Sequence, residues 1–162
     1  MYLLDSDVLI DATRRHYPFD IVPAFWDWLA RAHADDRVFT VQRVAEEVMA
    51  VGDELADWMK AQPATFRIAP GAADQPALQQ VSQWAAAADY NQGALVTFLQ
   101  AGDYFLIAQA LSLGYTVVTQ EKPAPESRKR IKIPDACNAV GVPWMTPFEM
   151  LRAEGARFHL TA

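Results

Sequence analysis

Residues 1–17 read MYLLDSDVLIDATRRHY, and the order of apolar and acidic positions in this stretch decides the fold. Tyr2, Leu3 and Leu4 form a short apolar run of the kind a buried strand needs, and VLIDATRRHY from Val8 onward has helical spacing with Asp7 placed as a cap. Three carboxylates, Asp5, Asp7 and Asp11, stand in and just beyond the apolar run. A buried ionised carboxylate is costly unless a cation or hydrogen-bond donors compensate it, so Asp5, directly after YLL, calls for a partner.

The same alternation continues outward. RVFTV (37–41), TFRIAP (65–70), YTVVTQ (115–120), IKI (131–133) and VPWMT (142–146) read as further strands. Between them, IVPAFWDWLARAHA (21–34) carries Pro23 in a first turn and Phe25, Trp26, Leu29 and Ala32 for burial. QRVAEEVMAVG (42–52) continues the apolar face of Val41 with Val44, Ala45 and Val48 and stops at Gly52. DELADWMKAQ (53–62), QPALQQVSQWAAAADY (75–90), PDACNAVG (134–141) and PFEMLRAEG (147–155) are further helices. DYFLIAQALSLG (103–114) is the clearest, apolar around most of its surface, while NQGALVTFLQAG (91–102) reads as a loop or a short helix. Short apolar strands alternating with helices predict a single α/β domain, with a mostly parallel central sheet of about five strands flanked by helices.

The totals agree with one domain: 162 residues, 52% apolar and 21% charged. No apolar run approaches the roughly 20 residues that span a bilayer, and the amino end starts with a strand instead of a signal segment, so the expected location is cytoplasmic, away from membranes. A single cysteine, Cys137, excludes an internal disulfide, and His16, His33 and His159 are too scattered for a zinc site. The net charge of −6 argues against simple nonspecific binding of nucleic acid. Divalent cations gathered by several acids would reverse that sign locally.

In open parallel sheets, functional residues collect at the carboxyl ends of the strands. Asp5 ends the first strand, Asp103 opens the long apolar helix, and Glu121 follows TVVT. At about 100° per residue, Glu47 lies beside Val44 and Val51 on the border of the apolar face, whereas Glu46 points away to solvent. Each acid also has an ordinary reading: Asp103 as an N-cap, Glu47 as a surface helix acid, Glu121 as a loop acid, Asp135 as a first-turn acid after Pro134. As a set without Cys or His, Asp5, Glu47, Asp103 and Glu121 form a hard-oxygen environment suited to Mg²⁺ or Mn²⁺ and hence to phosphodiester hydrolysis.

LLDSDVLI (3–10) resembles the opening motif of PIN-domain ribonucleases, in which an Asp ends the first strand and a small hydroxyl residue follows, then Asn, here Asp7. VAEEV (44–48) is similar to the second acidic block of that family, and GDYFLIAQALSLGYTVVTQE (102–121) to the third. VPAFWDWL, DELADWM, VVTQEK and KIPDACNAVGV look like an uncharacterised, toxin-like branch of the superfamily. The resemblance implies an Mg²⁺- or Mn²⁺-dependent endoribonuclease with Asp5, Glu47, Asp103 and Glu121 as metal ligands and catalytic acids. Ser6, Asp7, Thr119 and Asp135 would support them. It further implies an RNA substrate, a cognate antitoxin protein and a homodimer. Arg14, and Arg128, Lys129 and Arg130 in the loop ESRKRIK, are candidates for phosphate contacts. Two features depart from the family pattern: Asp7 for Asn, and the longer Glu121 at the fourth acidic position.

Two alternatives stay open. DSDVL also resembles the D-x-D motif of haloacid-dehalogenase-type phosphatases, with Asp5 as nucleophile, although Val8 and Leu9 replace the Gly and Thr usual there. The other is a PIN-like domain that has lost catalysis and only binds RNA or protein.

Overall fold

The structure is a computed structural model and describes residues 1–159. β1 (Tyr2–Leu4) lies at the centre of a five-stranded sheet with β2 (Val38–Val41), β3 (Arg67–Ile68), β4 (Thr116–Val118) and β5 (Trp144–Met145), in the order β3-β2-β1-β4-β5. Every neighbouring pair is parallel, with Leu3 opposite Phe39 on one side and Val117 on the other. Parallel strands are covered on both faces and therefore read as unbroken apolar runs. Leu3, Phe39 and Val117 face one core layer, while Leu4, Val38 and Val118 face the other.

Nine α-helices among the described residues cover the two faces. α5 (Gln75–Ala87), α6 (Gln92–Gln100), α7 (Gly102–Leu113) and α8 (Ile133–Val140) supply the Leu3 layer. α1 (Ser6–Asp11), α2 (Pro23–Ala34), α4 (Glu54–Ala61) and α9 (Pro147–Ala153) supply the Leu4 layer. α3 (Gln42–Ala50) serves both, through Val44 on one side and Ala45 and Val48 on the other. No single helix among the described residues is long and apolar enough to cross a membrane.

Two local expectations change, and the open reading after Tyr90 resolves to a helix. IKI is not a strand: Ile131 is buried, and Ile133 begins α8 with its N–H donated to the Glu121 carboxylate instead of to a neighbouring strand. Pro134, preset for a helical first turn, fixes that start. The segment after Tyr90 is the helix α6, and it passes into α7 through Ala101 alone, whose extended backbone ends one helix and caps the next. Asp7 does not cap α1; Asp5 occupies that position, and Asp7 lies exposed in the first turn.

Candidate metal centre

From β1 the chain moves outward to β2 and β3 on one side, then returns to place β4 and β5 on the other. The order reverses between β1 and β4, so the crevice beyond the carboxyl ends of these two strands is where an open sheet of this kind holds its ligands. Asp5 and Thr119 are the residues that immediately follow β1 and β4. The Asp5 N–H donates to the Val118 carbonyl at 3.0 Å, and the Thr119 hydroxyl donates to Asp5 Oδ2 at 3.0 Å. Ser6 Oγ stands 3.4 Å from Asp5 Oδ1.

Asp5 is only 2% exposed and forms no ion pair among the described residues. Burial, followed by the charges of Asp103 and Asp7, pushes its carboxyl well above the usual range, and the Thr119 hydroxyl only partly offsets this. Asp103 is in the first turn of α7 but is not its cap, a position held by Ala101. Its carboxyl is pushed up to about 6, by burial first and then by Glu121 and Glu47, with Arg130 acting in the opposite direction.

Glu47 reaches the same place from α3. Its residue is exposed, yet Oε1 accepts the Gly102 N–H at 2.7 Å, directly before Asp103. A Cβ on residue 102 would come within 3.0 Å of Glu47 Oε2, so glycine is what lets this carboxylate approach the start of α7. Glu46 is spent on the surface, where it accepts from Gln42 and Arg43. Of the two adjacent glutamates, Glu47 is the one whose carboxylate bonds to the start of α7.

The chemistry of this donor set fits a hard divalent cation: carboxylate oxygens and hydroxyls surround a buried acid that lacks a cationic partner. The nearby thiol does not compete as a soft ligand, because burial and the charge of Asp5 push Cys137 up to about 12. Among the described residues, no three acidic, imidazole or thiol groups converge on one point.

Glu121 differs from the other acids. It is 8% exposed; Oε1 accepts from Arg130 at 2.8 Å and from Lys132 at 2.9 Å, and Oε2 accepts the Ile133 N–H at 2.8 Å. Its charge is compensated by the chain itself, whereas that of Asp5 is not.

The acids lie within a segment that one family comparison covers almost completely. Residues 2–158 match the family described as Domain of unknown function (DUF4411). The chain belongs to the DUF4411 family. No curated protein matches it, and neither does any solved structure.

In this DUF4411 domain the remaining expected residues fall in three places. Lys129 and Arg130 stand beside Asp103 along the wall of one cavity. Arg128 is turned away to pair with Asp89 at 3.3 Å, and Asp135 accepts the Ala124 N–H at 2.9 Å, which ties down the loop after β4. Arg14 borders a different crevice, with Pro18, Asp53 and Glu54. Sequence reasoning missed Gly102 and the Ile133 N–H. The glycine left a signal, since a residue without a side chain immediately before a candidate ligand marks a close backbone approach. The amide left none, because its role depends on where the loop returns.

Proposed function

We propose that this chain is a metal-dependent ribonuclease that hydrolyses RNA phosphodiester bonds with Mg²⁺ or Mn²⁺ at the β1–β4 crevice. The observation that carries the reading is Asp5: a buried carboxylate at the switch point of the sheet, held by hydroxyls, facing other acids and without an ion-pair partner among the described residues. Asp5 and Asp103 would hold the metal, and Glu47, reaching from α3 to the Gly102 N–H beside Asp103, would be a further ligand. The bound ion supplies electrophilic activation of the phosphate and a lowered pKa for an attacking water.

The chain's own groups prepare this chemistry. Thr119 fixes the orientation of Asp5, and its Oγ1 also accepts the Glu121 N–H at 3.1 Å, which joins the ends of the two functional loops. Glu121 acts as the anchor of Arg130 and Lys132, keeping two cations beside the acids where phosphates would enter. Hydrolysis adds a water oxygen to phosphorus and breaks one P–O ester bond, and the leaving oxygen takes up a proton. The PIN-like motifs support RNA as the substrate and extend the proposal to a toxin held in check by a cognate antitoxin protein, working as a homodimer.

The test is cleavage of a panel of structured and single-stranded RNAs by the purified protein. Cleavage is expected in Mg²⁺ or Mn²⁺, and both EDTA and Asp5→Asn should abolish it. If no RNA is cut, or if Asp5→Asn cuts as fast as wild type, the catalytic assignment fails and a binding module becomes the better reading.

A further inference from the structure

A cavity of about 740 Å³ opens beside Asp103, between α6 and the loop Lys129–Ile131. This is within the range of sites that take small organic ligands. Its floor is apolar: Ala94, Phe98 and Ile131 are all buried. Its rim is polar, with Asn91 and Thr97 on the α6 side and Lys129 and Arg130 on the other. Asn91 caps α6 through its backbone alone, which leaves the side-chain amide free of any capping bond. Lys129 forms no ion pair among the described residues. Arg130 gives one guanidinium nitrogen to Glu121 while its side chain remains 61% exposed.

An apolar floor, hydrogen-bonding edges and cations at the mouth match the parts of a nucleotide attached to a reacting phosphate. We infer that the cavity is a subsite for one unpaired ribonucleotide next to the scissile bond. Its base sits against the apolar floor of Ala94, Phe98 and Ile131, its edge meets Asn91 and Thr97, and its phosphate meets Lys129 and Arg130. A base held this way cannot remain stacked and paired in a duplex, so the subsite selects single-stranded or bulged RNA. This inference rests on the ribonuclease reading above and deepens it by naming what the enzyme holds beside the cut.

The test uses single-stranded oligoribonucleotides in which one abasic ribose is moved stepwise past the observed cleavage site. It also uses two variants that fill the cavity from exposed positions, Thr97→Trp and Gly93→Phe. Nothing lies within 4 Å of a Cβ built on Gly93, so the second variant has room to fold. For wild type, kcat/KM is expected to drop roughly tenfold or more when the abasic ribose sits at one flanking position, as befits the loss of one stacked base. The filled variants should cut base-bearing and abasic RNA at the same reduced rate while binding Mn²⁺ as wild type does.

Wild type that cuts every abasic oligonucleotide equally well would overturn the subsite and leave the ribonuclease reading intact. Filled variants within about twofold of wild type on base-bearing RNA would do the same. Loss of Mn²⁺ binding in both variants would also overturn the subsite, by moving the effect to the metal centre. Wild type that cuts none of the oligonucleotides overturns both readings.

Discussion

Replacing Asp103 by Asn should stabilise the metal-free protein and remove its response to metal. Burial and the neighbouring acids raise the Asp103 carboxyl from 3.8 to about 6. At roughly 1.4 kcal/mol per unit, keeping this group ionised at neutral pH costs the metal-free fold up to about 3 kcal/mol, with solvent screening lowering that ceiling. A raised carboxyl pKa means that the folded state binds more protons than the unfolded chain between the two values. This penalty is therefore fully present above about 6 and disappears as the pH falls toward 3.8. At about 2–4 °C per kcal/mol for a chain of this size, Asp103→Asn should melt up to about 6–12 °C above wild type at pH 7.5 in EDTA. The gap should close near pH 4. Mn²⁺ at a hundredfold excess over its Kd should stabilise wild type by about 2.7 kcal/mol and leave the variant nearly unmoved. Thermal melts with and without Mn²⁺ at three pH values are sufficient. A variant that melts lower than wild type in EDTA at pH 7.5, or one that gains as much from Mn²⁺, would refute the reasoning.

Other substitutions separate the roles around the crevice. Gly102→Ala would place a Cβ against the Glu47 carboxylate and disturb its 2.7 Å bond to the residue 102 N–H; Mn²⁺ affinity by calorimetry should fall about tenfold, and unchanged affinity would remove Glu47 from the metal centre. Thr119→Val deletes the donor to Asp5 and the acceptor of the Glu121 N–H, and should cost about 1–3 kcal/mol in chemical denaturation; a loss below 0.5 kcal/mol, roughly the lower bound for one hydrogen bond, would contradict that role. Glu121→Gln should raise KM for RNA several-fold while leaving kcat within about twofold, because the residue anchors Arg130 and Lys132. Lost kcat at constant KM would instead make Glu121 a metal ligand.

The elements most legible in the sequence were those whose pattern is local. YLL, VFTV and TVV are mostly apolar runs, with Thr40 and Thr116 the polar members, because both faces of a parallel sheet are covered, and they place Asp5 and Thr119 at strand ends. Glu47 was legible from its angle on α3. What sequence could not supply were partnerships made at long range. Glu121 looks like any acid after a strand until Arg130, Lys132 and the Ile133 N–H return to it from 9 to 12 residues away. IKI has strand composition, but its last residue is drawn into α8 by Pro134 and by that same carboxylate. The basic residues of one loop are equivalent in sequence, and tertiary structure divides them: Arg128 is paired with Asp89, whereas Lys129 and Arg130 line the cavity that Asp103 also lines.

The most direct measurement of the central claim is the rate of RNA cleavage across a Mn²⁺ titration, for wild type and Asp5→Asn side by side after both have been stripped with EDTA. The account expects wild-type activity to rise from zero to saturation with added Mn²⁺ and the variant to stay at background throughout. Cleavage by wild type without any divalent ion, or the same titration curve for both proteins, would contradict it.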